Sequence, residues 1–129
     1  MIDDMGIFRT TITVAHVARP HERRTLTGVM VDTGSEYNWI PRIVLEDLGV
    51  EPARVDRFET ADGRVLERPV GFALIHAGRR STAAVVVFAE AGDMVLLGAH
   101  GLDGLNLRID LGRKELVPAG PVPAASNAA

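Results

Sequence analysis

A chain of 129 residues, 47% hydrophobic and 24% charged, has room for one hydrophobic core and too little for two; this excludes a disordered protein, a membrane-embedded one and a second independent domain. The net charge of -3 offers no broad attraction to nucleic acid or an anionic membrane. Cysteine is absent, which removes disulfides, thiolate nucleophiles and cysteine metal sites, so any nucleophile is a side-chain oxygen or water.

The opening Met1-Ile2-Asp3-Asp4-Met5-Gly6 has neither a basic n-region nor an apolar h-region, and no apolar run reaches the ~20 residues of a spanning helix. A cytoplasmic location is therefore expected. Between Gly6 and Val17, Phe8, Ile12 and Val14 alternate with Arg9, Thr11 and Thr13, the two-residue period of a strand with one wet face. The basic run Arg19-Pro20-His21-Glu22-Arg23-Arg24 is broken by proline and glutamate and reads as a solvated turn. From Thr25 to Val31 a β-branched, increasingly apolar segment runs straight into Asp32-Thr33-Gly34.

Pro41 at the first turn and Gly49 just past the last frame a short helix, with Val44, Leu45 and Leu48 on one face. Val55 to Thr60 and Arg64 to Leu66 flank Ala61-Asp62-Gly63, a hairpin signal, and Pro69 marks an edge or a bulge in the second arm. Val70 to Ala77 and Ser81 to Ala89 form another hairpin across Gly78-Arg79-Arg80, and Ala83 to Phe88, apolar on both faces, reads as a central strand. Met94 to Leu97 enters Gly98, and a helix over Ala99 to Leu105 follows, weakened by Gly101 and Gly104. Asn106 to Asp110 and Glu115 to Val117 form a last pair of strands around Gly112. The expected domain is 1–117, and 118–129 reads as a flexible Pro/Ala-rich tail. The fold class is mainly β, a closed barrel with one or two short helices. Val29-Met30-Val31 before Gly34 and a helix is echoed by Met94 to Leu97 before Gly98 and a helix.

Chemistry concentrates at Asp32. A carboxylate delivered by a buried strand into a glycine turn sits on rigid scaffold in a low dielectric, where its pKa is tunable. Thr33 offers a hydroxyl to brace the turn, Gly34 allows close approach, and Ser35 is expected to donate to the carboxylate. Amide hydrolysis needs both a base for water and an acid for the carbonyl oxygen. Two aspartates about 3 Å apart repel by roughly 5 kcal/mol at an effective dielectric of ~20, so near neutral pH only one is ionised and the pair supplies both roles. The chain has a single Asp-Thr-Gly, so the second carboxylate must come from another copy in a two-fold dimer.

Asp32-Thr33-Gly34-Ser35 followed by Trp39-Ile40-Pro41 resembles the N-terminal active-site segment of pepsin-like aspartic proteases, in which such carboxylate pairs are known. The chain length and Leu96-Leu97-Gly98 resemble retropepsins and their bacterial single-domain relatives. Element order agrees from Gly6 to Val117. The resemblance implies a retropepsin-type barrel and an aspartic endopeptidase active as a homodimer on a peptide or protein substrate, without cofactor, metal, nucleic acid or membrane. Asp32 would be the catalytic acid/base, Thr33 a brace between the two turns, and Gly34 part of the groove. Ser35 and Trp39 would lie at the substrate, and Ala61-Asp62-Gly63 would tip the flap. Where retroviral enzymes carry a basic residue after the second glycine, this chain has Ala99-His100.

Other readings remain beside it. Asp-Thr-Gly is also an ordinary turn sequence, and Trp39 serves equally as core filler. His16, His21, His76 and His100 lack the i, i+4 spacing of a metal face, and no Gly-x-Ser-x-Gly elbow accompanies Ser35 or Ser81. The alternative function is a non-proteolytic dimeric peptide- or protein-binding module on the same scaffold, and a weaker one is a purely architectural barrel.

Overall fold

A computed structural model describes residues 7–125. Nine strands and two short helices follow in the order β1 (Arg9–Ala15), β2 (Arg23–Val31), β3 (Asn38–Pro41), α1 (Arg42–Asp47), β4 (Arg54–Glu59), β5 (Val65–Ala77), β6 (Arg80–Ala89), β7 (Leu96–Leu97), α2 (Ala99–Leu105), β8 (Leu107–Asp110) and β9 (Glu115–Pro118) among the described residues. The mainly-β expectation holds. Seven strands make one sheet in the order β1-β2-β7-β3-β6-β5-β4, and a further β1–β5 pairing brings six of them round into a ring. β4 stays outside that ring, paired with β5 alone, while β8 and β9 form a separate ribbon.

The alternation in β1 works as its period demands: Phe8, Ile12 and Val14 enter the core, which also takes Val29, Val31, Ile40, Leu45, Val86, Phe88 and Leu97. β6 lies between β3 and β5, and its last four residues are fully covered, the central position its two-faced apolar run requires. The basic turn between β1 and β2 folds onto itself, with Arg19 paired to Glu22 at 2.8 Å and Arg23 donating to the Pro20 carbonyl.

Pro41 ends β3 as the N-cap of α1. The helix stops in a Schellman arrangement: Val50 N–H reaches Leu45 C=O, Gly49 N–H reaches Glu46 C=O, and Gly49 takes a φ of 77°. Val50 and Leu45 both lie in the core. Only Gly78 and Arg79 separate β5 from β6, with Gly78 at φ 58° as the first loop residue, so Arg80 belongs to the strand and not to the turn. Pro69 interrupts neither arm. β5 runs through it, and it lies just beyond the last β5–β6 pair, where β5 leaves the ring with β4.

One strand is added to the sequence reading and one is shortened. Asn38–Pro41 is a strand, parallel to β6 and antiparallel to β7, that four residues of sequence do not announce. Of Met94 to Leu97 only the last two residues are strand, and Met94 is exposed. The helix over Ala99–Leu105 is where it was expected, and Gly101 and Gly104 let it sit close, since a Cβ at Gly101 would overlap the Asn38 side chain and one at Gly104 would overlap Thr82 of β6. The echoing segments are neighbours: Met30 pairs with Leu96 and Val31 with Leu97, in parallel. Beyond β9, which reaches Pro118, Ala119 N–H bonds to Asn106 C=O, and the Asn106 side chain donates to Gly120 C=O.

At the root of the β4–β5 ribbon, Arg68 forks onto Asp93 at 2.7 and 3.0 Å, and Asp93 also accepts the Glu90 N–H at 2.8 Å. Both side chains are largely covered, 17% and 11% exposed. The Arg68 guanidinium, aided by the Glu90 N–H, holds the Asp93 carboxyl below the ordinary 3.8. A depressed carboxylate contributes stability above its unfolded pKa and loses it as pH falls through the folded value. Asp93→Asn should therefore cost about 1.5–3 kcal/mol in urea denaturation at pH 7, with the gap to wild type closing as pH drops below 3.8. Gly104→Ala, although it raises helix propensity, should lower stability by about 1–3 kcal/mol through overpacking on Thr82, read as a lower thermal midpoint that Thr82→Ala partly restores.

Candidate active site

β2 ends by handing Asp32 to a turn that is tied down at both ends. Asp32 N–H donates to Leu97 C=O at 3.0 Å, and Asp32 C=O accepts Ser35 N–H at 3.2 Å. The Asp32 carboxylate accepts the Gly34 N–H at 2.9 Å. A Cβ at position 34 would stand 3.2 Å from that carboxylate oxygen, a tight approach that would press on the Asp32 side chain.

The segment after the turn is stitched to the start of α2. Ala99 N–H donates to Ser35 C=O at 2.7 Å and His100 N–H to Glu36 C=O at 3.1 Å, which satisfies helix-end donors that otherwise lack partners. Gly98 N–H donates to Asn38 Oδ1 at 2.9 Å, and Asn38 Nδ2 donates to Val85 C=O at 3.0 Å. Asn38 is fully buried, the only polar side chain so placed among the described residues. Gly98 has no room for a side chain, because a Cβ there would run into the carbonyls of Tyr37 and Ser35. Floor, turn and helix are thereby one backbone-bonded unit.

Above this floor the β4–β5 ribbon arches as a flap, leaving a cleft of about 940 Å³. Asp32, Ser35, Tyr37 and Trp39 line it below, and Val55, Phe58 and Ala61 line it from the flap. The flap tip is a three-residue loop with Gly63 at φ 85°. Thr60 N–H bonds to Arg64 C=O at 2.8 Å and Gly63 N–H to Thr60 C=O at 2.9 Å, while the Thr60 hydroxyl donates to the Asp62 carboxylate. That hydroxyl, followed by Arg64, holds the exposed Asp62 carboxyl below the usual aspartate range.

The family model for Aspartyl protease matches residues 23–100, more than half of the chain. The chain belongs to the aspartyl protease family. Its enzyme class is accordingly that of an aspartic-type endopeptidase. The solution structure of Simian Foamy Virus (mac) protease is similar to this aspartyl protease at 18% sequence identity, covering 73% of this chain and 92% of that one, with a TM-score of 0.49. No curated protein matches.

Of the residues expected at the site, this protease gathers Asp32, Gly34, Ser35, Trp39 and Ala61 around one cleft. Thr33 stands beside it, exposed, and Asp62 and Gly63 close the flap's own turn outside the cleft lining. Ser35 does not donate to the carboxylate: its hydroxyl reaches Tyr37 C=O at 3.1 Å, and the Gly34 N–H takes the expected place. Trp39 is neither pure core nor free wall. It is half-buried, lines the cleft and packs its ring 5.0 Å from that of Phe58.

Tyr37, Asn38 and Phe58 were not singled out by the sequence. A polar residue beside Trp39-Ile40 in an apolar stretch was the available sign for Asn38, and Phe58 as the lone aromatic of its hairpin arm was the sign for the flap contact. Among the described residues no group of histidine and acidic side chains could hold a metal ion, and none of their helices is long and apolar enough to cross a membrane. Asn38→Leu, which keeps the branched heavy-atom shape and removes both hydrogen bonds, should take these partners from Gly98 N–H and Val85 C=O. The expected cost is about 2–4 kcal/mol in chemical denaturation, with faster hydrogen exchange at residues 97–100.

Proposed function

We propose that this aspartyl protease hydrolyses peptide bonds as a homodimer in which two copies of Asp32 share one proton. The observation that carries the reading is that Asp32, in the chain's single Asp-Thr-Gly, stands on a backbone-clipped turn at the bottom of a cleft roofed by a hairpin. One carboxylate of a two-fold pair stays ionised and takes a proton from water, whose oxygen attacks the peptide carbonyl carbon. Its protonated twin gives its proton to the carbonyl oxygen. Collapse of the tetrahedral adduct then breaks the C–N bond as a carboxyl group returns a proton to the departing amine.

Geometry supports the other roles. Gly34 N–H, bonded to one Asp32 oxygen, fixes the carboxylate's orientation. Thr33 is exposed, and its hydroxyl bonds to nothing among the described residues, which suits a brace across a two-fold axis. Ser35, through its bond to Tyr37, shapes the floor. An extended peptide would lie between floor and flap, pairing its backbone with strand edges, with Trp39 and Ala61 against its side chains and Asp62 and Gly63 holding the flap tip in shape. The proposed setting is the cytoplasm, where a core built without cysteine needs no oxidising compartment.

Asp32→Asn should keep the fold by circular dichroism and lower cleavage of a broad peptide library by about 10²–10⁴-fold between pH 3 and 8. Sedimentation of the wild type should give twice the 13.9 kDa chain mass. Full activity in the variant, or activity in a strictly monomeric protein, would refute the shared-carboxylate mechanism.

A further inference from the structure

β4 is hydrogen-bonded on one side only, to β5, so the roof of the cleft is a two-stranded ribbon leaving the ring. What meets it on the cleft side is a small set of side chains. Phe58 packs edge-on against Tyr37, centroids 5.9 Å apart at 79°, and against Trp39, 5.0 Å apart at 64°. Arg54, its Nε held at 3.0 Å by Asp56, reaches the Tyr37 hydroxyl at 3.5 Å. Tyr37 in turn lies 6.1 Å from the His100 ring, and its carbonyl accepts the Ser35 hydroxyl. Phe58 therefore seats the flap on the same floor segment that carries Asp32.

We infer that Phe58 is the flap's latch, a positioning residue whose seat between Tyr37 and Trp39 sets the flap's height over Asp32 and so governs substrate capture. The inference rests on the proposed peptidase reading for its kinetic consequence, but the latch itself is a property of the unliganded protein. Offset and edge-on aromatic pairs are among the stronger side-chain contacts at a half-exposed site, yet each is weak enough to break on a motion of the flap. Backbone hydrogen bonds hold the floor and ring contacts hold the roof, so losing the latch frees the roof alone. Asp32 and its clips to Leu97 and Gly34 are untouched, so the chemical step stays intact once substrate is bound.

Trp39 is the only tryptophan, which makes its fluorescence a reporter of the seat. Phe58→Ala should speed hydrogen exchange of residues 54–66 by about 5- to 100-fold, as expected for losing two ring contacts, and should change Trp39 emission. Exchange at residues 29–32 and 97–100 should stay as in wild type. In peptide cleavage KM should rise about tenfold while kcat stays within about twofold. Phe58→Tyr should restore both readouts, and Phe58→Leu should be intermediate, which covers the case in which the alanine variant folds poorly. Paired with Tyr37→Leu, the Phe58→Leu effect on flap exchange should be markedly smaller than in the wild type. Unchanged exchange at 54–66, uniform loosening of the whole chain, or a fall in kcat with constant KM would overturn the latch. Exchange and fluorescence need no turnover, so a protein that cleaves nothing would sink the peptidase reading while these two measurements still decide the latch.

Discussion

The site depends on a seam of backbone hydrogen bonds between residues 32–38 and residues 97–100. Asp32 is joined to Leu97, Ser35 to Ala99 and Glu36 to His100 through main-chain groups, and Asn38 closes the seam by binding Gly98 from one side and Val85 from the other. Main-chain donors and acceptors in a covered place must find partners, and they have no rotamer freedom to lose in doing so. That makes the seam a stiffer support for a carboxylate than exposed ion pairs such as Arg42–Glu46, which water and salt weaken. Close approach is what permits it. Gly98 and Gly101 each stand where a Cβ would overlap the seam.

The roof is built by different physics. The β4–β5 ribbon is anchored at its root by the Arg68–Asp93 fork, shaped at its tip by Thr60, Asp62 and Gly63, and touched in between by Phe58. Its tip is held by local bonds and its root by the turn after β6, while its contact to the floor is the ring of Phe58 on Tyr37 and Trp39 with the Arg54–Tyr37 hydroxyl bond beside it. A cleft with a rigid floor and a lightly seated roof can admit an extended chain without disturbing the carboxylate that would act on it. Packing density in the core, where Ile40, Leu45, Val86 and Leu97 are fully or almost fully covered, keeps that difference in stiffness from averaging out.

Much of this was written locally in the chain. The alternation of Phe8, Ile12 and Val14 named the buried face of β1. Pro41 and Gly49 bracketed α1, Asp62-Gly63 and Gly78 marked the two hairpin tips, and the apolar run into Asp32-Thr33-Gly34 marked the end of β2 and the turn after it. These are short-range signals, in which period, ring closure and positive φ depend on a few neighbouring residues. The echo of Val29–Val31 in Leu96–Leu97 was also visible, although only folding made the two segments neighbours in one sheet.

What the tertiary structure alone decided were the meetings between distant segments. The strand Asn38–Pro41 exists because β6 and β7 arrive on either side of it, and its own four residues carry no period. Gly101 and Gly104 read as weak points of a helix until Asn38 and Thr82 stand against them, and the Ser35 hydroxyl bonds to Tyr37 C=O while the Asp32 carboxylate accepts the Gly34 N–H. By itself the sequence determined most of the strand segments and where the chain turns, including the turn that holds Asp32, because those choices are made within a few residues. The company that acid keeps, from the buried amide of Asn38 to the ring of Phe58 above the cleft, was decided by contacts across tens of residues, which no local period records.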